Sequence, residues 1–181
     1  IPRSMMEEGR REEALVTFDR ISRAQEILSR RAGIYGMIGG QVVDVESDKK
    51  EDAPITREKL DFIYELKTGA LLEASMEIGA ILAGAEETEI ALVHDVASHV
   101  GLAFQIQDDI LAVTSTLEVL GKPIGSDEEN NKPTYVTFEG LNQARMDVKR
   151  LSNEAISKLM HLERDSEFLR ELILFLMERN K

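Results

Sequence analysis

Two adjacent carboxylates and a nearby amide lie within an otherwise apolar stretch of the sequence. Gln105, Asp108 and Asp109 fall at offsets 0, 3 and 4, and on a helix such residues share one face. Gly101 and Ala97 continue that face backwards with small side chains. Burying neighbouring carboxylates requires a counter-charge. A Mg²⁺ ion would provide it, because this ion takes one or two carboxylates and completes its shell with water and phosphate oxygens. The alternative is a solvated acidic pair.

A lysine is the second residue that stands out from its surroundings. Lys67 lies seven residues after Leu60 and four before Leu71, on the apolar stripe of a helix. A buried ammonium needs an anionic partner, although its stem can also pack while its head reaches water. The chain has no Lys or Arg between Lys67 and Lys122, so any counter-charge for the carboxylate pair comes from a distant part of the sequence.

A third candidate is the polar segment 121–133, which is long for a connection between helices. It carries Lys122 and Lys132 around three acidic residues. Solvated loop charge is the ordinary explanation of such a segment. The functional alternative is a loop that closes over a phosphate–Mg²⁺ complex, as active-site lids do.

Composition excludes several classes of protein. The 181 residues carry 22 basic and 34 acidic side chains, a formal charge of −12, and no cysteine. This charge argues against nucleic-acid binding, which needs a basic surface, and the absence of cysteine excludes disulfides and thiolate metal sites. The longest apolar run is far shorter than the roughly 18 residues of a membrane span. We therefore expect a cytoplasmic protein that binds no nucleic acid and has no membrane span.

Apolar residues recur with helical periodicity throughout the chain, and no stretch shows the alternation of a strand. The prediction is an all-α fold in one domain, 1–181, with no internal boundary. Helices are expected at about 6–33, 34–45, 57–84, 88–117, 136–163 and 166–179.

Several segments together resemble motifs of the trans-isoprenyl diphosphate synthases, in particular the bacterial farnesyl and geranyl diphosphate synthases. The stretch Phe104-Gln-Ile-Gln-Asp-Asp-Ile-Leu-Ala112, followed by Gly121-Lys-Pro-Ile-Gly and by 127–132, resembles their second aspartate-rich region. Upstream, Gly36-Met-Ile-Gly-Gly-Gln41 with Asp44, and the stretch 62–70 around Lys67, resemble two further motifs in the family's order.

The resemblance implies a bundle of long helices around a central cavity, usually a homodimer. Its substrates would be an allylic diphosphate and isopentenyl diphosphate, with up to three Mg²⁺ ions. By resemblance, the residues that bind the allylic diphosphate are Lys67, Thr68, Gln105 and Lys122, with help from Lys132. The implied metal ligands are Asp108 and Asp109, and the implied catalytic residues are Lys67, Asp108 and Lys122.

The implied reaction is head-to-tail prenyl transfer. Metal ions and lysines stabilise the departing pyrophosphate, and the double bond of isopentenyl diphosphate attacks the allylic cation. An apolar cavity keeps water from that cation.

Three departures from the family pattern stand out. Ala112 replaces the last acid of the usual Asp-Asp-x-x-Asp, Ser126 stands where bacterial members commonly carry Lys, and no first aspartate-rich region is present. We expect the chain to correspond to the C-terminal three-fifths of a synthase, inactive in isolation. The alternatives are a class I terpene cyclase, a non-catalytic synthase-like subunit, and a helical interaction domain.

Overall fold

The computed structural model describes residues 2–49, 55–120 and 133–178, and within these ranges every regular element is a helix. The all-α prediction is confirmed. The helices are α1 (Pro2–Glu7), α2 (Arg11–Ala32), α3 (Met37–Lys49), α4 (Arg57–Ile63), α5 (Ala70–Leu82), α6 (Glu87–Leu120), α7 (Tyr135–Glu139), α8 (Leu141–Leu159) and α9 (Glu167–Glu178), with a π-helical turn, Tyr64–Gly69, between α4 and α5.

The helix expected at 57–84 is interrupted by that π-helical turn. Its start was predicted correctly: Thr56 caps α4, and its hydroxyl accepts a hydrogen bond from the backbone N–H of Lys59 at 3.3 Å. A π-helical turn holds one more residue than an α-helical turn and is common at functional sites. The extra residue rotates the helix face that Lys67 occupies relative to the apolar stripe of α4.

Two other expected helices are each divided in the structure. The segment 136–163 separates into α7 and α8 at Gly140, whose φ of +81° is a left-handed conformation that favours glycine. Thr134 is the N-cap of α7 and forms a capping box with Thr137. In this box, each hydroxyl accepts a hydrogen bond from the backbone N–H of the other residue. The segment 6–33 separates into α1 and α2, and the helix expected at 34–45 lies instead at Met37–Lys49.

Helix α6 is the central element, packing against α5, α8 and the π-helical turn. Its buried side chains contribute to two apolar clusters. One joins α4, α6 and α8 through Leu60, Ile63, Ile106, Ile110 and Leu151. The other joins α6, α8 and α9 through Val96, Val100, Ala155, Leu159 and Ile173. The polar stretch of α6 is therefore held on a well-packed helix.

Candidate active site

The π-helical turn and helix α6 run antiparallel in close contact. At one end of the turn, a β-carbon added to Gly101 would lie 3.3 Å from Gly69 Cα, so the two backbones nearly touch. At the other end, the hydroxyl of Tyr64 donates a hydrogen bond to Asp109 Oδ2. Lys67 and Thr68 lie between these two contacts along the turn.

The anionic partner of Lys67 comes from α3. Lys67 Nζ lies 2.6 Å from Asp44 Oδ2, and the Asp44 side chain is only 8 % exposed, against 38 % for Lys67. One turn earlier, a β-carbon on Gly40 would lie 2.4 Å from the backbone nitrogen of Lys67. The glycine thus permits the close approach of α3, and the aspartate holds the ammonium at a half-exposed position.

Asp109 is bonded within the protein on one side of its carboxylate. Oδ2 accepts from the hydroxyl of Tyr64 and, at 2.7 Å, from the backbone N–H of Tyr135 at the start of α7. Burial raises the pKa of Asp109 above its ordinary value, and the two hydrogen bonds oppose that rise. The pKa of Tyr64 is also raised, first by burial and then by its bond to the Asp109 carboxylate.

Tyr135 is held at both its ring and its hydroxyl. The Arg57 guanidinium carbon lies 4.3 Å from the ring centroid, a cation–π contact. The Tyr135 hydroxyl donates to Asp147 Oδ2 at 3.0 Å. Arg57 also pairs with Asp61 at 2.9 Å. This network fixes the start of α7, and with it the Tyr135 N–H that donates a hydrogen bond to Asp109.

The other predicted site residues are placed as follows. Gln105, Asp108 and Thr68 are half-buried, whereas Ala112, one turn beyond Asp108, is exposed. Lys122 and Lys132 lie outside the described residues. Within the part of the chain that the structure describes, no three acidic or histidine side chains converge as a metal cluster. The donor set nevertheless fits Mg²⁺, which needs only one or two protein carboxylates when it also binds phosphate oxygens.

A pocket of about 300 Å³ opens beside the same two elements. Its lining includes Tyr64 and Gly69 from the π-helical turn and Ser98 and Leu102 from α6. The hollow therefore lies at the contact between the turn and α6, and its described lining includes none of the predicted site residues.

Three of the residues that build this arrangement were not predicted as site residues. Tyr64 and Asp44 were assigned only to motifs, while Tyr135 was not singled out. A buried tyrosine hydroxyl needs a partner, which is a signal that Tyr64 offered. The partner itself could not be read from the sequence, because Tyr64 and Asp109 are 45 residues apart.

The fold and these polar contacts define an all-α protein with acidic and basic groups on neighbouring helices. The family model described as polyprenyl synthetase matches residues 8–172. Because the match covers most of the 181 residues, the chain belongs to the polyprenyl synthetase family. Among the described helices, none is both long and apolar enough to cross a membrane.

Individual proteins agree with the family assignment. The chain is 43 % identical over 148 residues to dimethylallyltranstransferase from Fischerella ambigua. The matched region covers 82 % of this chain and 42 % of the relative. An FPP/GFPP synthase structure from Zymomonas mobilis has a TM-score of 0.74 at 26 % identity and covers 87 % of this chain and 51 % of that one.

A third similar protein is the geranyltransferase from Helicobacter pylori, whose structure is a complex with magnesium and isoprenyl diphosphate. It has a TM-score of 0.65 at 31 % identity and covers 88 % of this chain and 51 % of that chain. Taken together, the chain spans about half the length of these three proteins.

Proposed function

We propose that this chain belongs to a prenyltransferase that condenses an allylic diphosphate with isopentenyl diphosphate. The observation that carries the proposal is the position of Lys67. Its half-exposed ammonium is bonded to the buried Asp44, and the turn that carries it is joined to α6 by the hydrogen bond from Tyr64 to Asp109. An arrangement of cation, amide and carboxylates suits a metal-bound diphosphate.

The proposed roles divide between the diphosphate and the metal. Lys67, Thr68 and Gln105 donate hydrogen bonds to the allylic diphosphate, and Asp108 holds Mg²⁺. Lys122 and Lys132 are proposed to assist from the segment outside the described residues. Asp109 differs from its neighbour, because one of its oxygens is already bonded to Tyr64 and Tyr135.

The proposed reaction begins with cleavage of the allylic C–O bond, whose electron pair leaves with pyrophosphate. The Lys67 ammonium stabilises the negative charge that develops on the departing oxygens. Up to three bound Mg²⁺ ions would add Lewis acidity toward the same oxygens. The double bond of isopentenyl diphosphate then attacks the allylic carbon, and a proton is lost to pyrophosphate. No side-chain nucleophile takes part.

Assembly and location belong to the same proposal. We propose a cytoplasmic homodimer with this chain as one domain. Helix α2 exposes Leu15, Phe18 and Leu28, each more than half accessible. An exposed apolar face of this kind is typical of a surface that another protein element covers, which supports assembly without identifying the covering element.

The experiment is a condensation assay of the whole protein with geranyl diphosphate and labelled isopentenyl diphosphate, with and without Mg²⁺. A prenyltransferase forms labelled product only when both substrates and Mg²⁺ are present. Consumption of geranyl diphosphate alone would indicate a terpene cyclase. Absence of turnover in a folded protein would favour a non-catalytic subunit, the alternative that Ala112 suggests because a carboxylate is missing there.

A further inference from the structure

We infer that Asp109 is a positioning residue, whose Oδ2 joins α6 to the π-helical turn and to α7 through hydrogen bonds and is not available to the metal. The inference rests on the proposed function, in which Asp108 and Lys67 act on a metal-bound diphosphate. It is argued from the hydrogen bonds that Asp109 accepts within the protein.

The first step concerns the lone pairs of Asp109. Oδ2 accepts two hydrogen bonds, from Tyr64 and from the backbone N–H of Tyr135. Both donors belong to buried residues, with Tyr64 8 % and Tyr135 6 % exposed. A carboxylate oxygen offers about two lone-pair sites, so Oδ2 is fully used within the protein. Recruiting it to a metal would leave two buried donors without a partner, which is costly.

The second step concerns what the bonds hold. Tyr64 is the first residue of the π-helical turn and precedes Lys67 by three residues and Thr68 by four. Tyr135 is the first residue of α7 and is fixed by the Arg57 guanidinium over its ring and by Asp147 at its hydroxyl. Asp109 therefore fixes the start of the turn that carries the proposed diphosphate ligands, and does so directly beside Asp108.

The third step concerns charge. The two partners of Oδ2 are a phenol and a peptide N–H, both neutral donors. An asparagine carbonyl oxygen at the same place can accept both bonds, whereas alanine can accept neither. A metal ligand behaves differently, because Mg²⁺ selects the charged carboxylate. Replacement by asparagine thus separates positioning from ligation.

The experiment compares Asp109→Asn, Asp109→Ala and Asp108→Asn in the 181-residue chain by thermal unfolding and by calorimetric titration of pyrophosphate with Mg²⁺. Asp109→Ala should lower the unfolding midpoint by about 4–8 °C and weaken pyrophosphate binding by roughly fivefold. Asp109→Asn should restore the midpoint to within about 2 °C and affinity to within about threefold of wild type. Asp108→Asn should lose at least about tenfold in affinity.

Two outcomes would overturn the inference. One is Asp109→Asn losing as much affinity as Asp108→Asn at an unchanged midpoint, which is the behaviour of a ligand. The other is Asp109→Ala unfolding at the wild-type midpoint, which would make the hydrogen bonds unimportant. If the wild-type chain binds no Mg²⁺–pyrophosphate, the proposed function loses support. Unfolding midpoints still test the hydrogen bonds in that case, by comparing Tyr64→Phe, Asp109→Ala and the double variant. If the bonds hold these elements together, the effects of the two single substitutions should not add in the double variant.

Discussion

Lys67 Nζ lies 2.6 Å from Asp44 Oδ2, across the contact between α3 and the π-helical turn. The aspartate is almost entirely buried, whereas the lysine is more than one-third exposed. One hydrogen bond therefore ties the ammonium to the protein, while the lysine side chain remains partly accessible to solvent. Such a geometry suits a lysine that binds an anion without leaving its partner.

Replacement of Lys67 by alanine in the whole protein should lower kcat/KM for the allylic substrate by at least about tenfold, or roughly 1.4 kcal/mol. The reason is loss of a cation beside the departing pyrophosphate. Steady-state assays at saturating isopentenyl diphosphate measure this value. Lys149→Ala is the matched control, since Lys149 is exposed on α8. An unchanged kcat/KM in the Lys67 variant would remove this residue from the site.

The close approach of α3 to the π-helical turn gives a prediction about stability. A β-carbon at Gly40 would lie 2.4 Å from the Lys67 backbone nitrogen and 2.9 Å from Leu66 Cβ. We expect Gly40→Ala to destabilise the chain by about 1–3 kcal/mol, because backbone must move to relieve the overlap. Chemical denaturation of both proteins measures the difference.

Gly79→Ala is the control for this substitution. Gly79 is also helical, but a β-carbon there meets nothing within 4 Å. The alanine should stabilise the chain by roughly 0.5–1 kcal/mol through helix propensity alone. Equal effects of the two substitutions would show that α3 does not pack as closely on the π-helical turn as described.

The candidate site was partly predictable from the sequence because its outliers were local. Helical spacing within one segment gives the face that bears Gln105, Asp108 and Asp109. Lys67 stood out as a basic residue within an apolar segment. The partners of these residues did not follow. Asp44 lies 23 residues from Lys67, and tertiary packing alone selects it among many acids in a chain of this charge.

The fold was predictable to a similar extent. Apolar periodicity located the long helices and gave the correct fold class. It could not show the π-helical turn, because one extra residue in a turn changes the phase of the pattern without changing its composition. The division at Gly140 had a signal in the glycine itself, yet isolated glycines are tolerated inside helices, and only the left-handed φ distinguishes a break.

Asp147 should make folding stability depend on pH. Burial favours its neutral form, but hydrogen bonds from Gln143, Tyr135 and Arg150 together outweigh burial and lower its pKa. A carboxyl group with a lowered pKa in the folded state stabilises the fold above its unfolded pKa of about 3.9. That contribution is lost as the pH falls through the folded-state value.

The measurement is the free energy of unfolding of wild type and Asp147→Asn between neutral pH and pH 3. The wild type should be the more stable at neutral pH, and the difference should shrink below about pH 4. Asp19→Asn on α2 serves as a control, since Asp19 is exposed. A difference that stays constant, or grows toward acid, would contradict the lowered pKa.

The isolated chain should bind Mg²⁺–pyrophosphate weakly without catalysing prenyl transfer. It carries Lys67, Gln105 and Asp108, yet among the described residues no third acid or histidine completes a metal cluster, and the chain spans about half of its relatives. Calorimetry at millimolar pyrophosphate should therefore show binding heat with Mg²⁺ and none with Mg²⁺ omitted, because the metal screens the repulsion between diphosphate and carboxylates. Lys67→Ala should reduce this heat and Lys149→Ala should not. Only dilution heat in the wild-type chain would mean that this chain does not form a diphosphate site by itself.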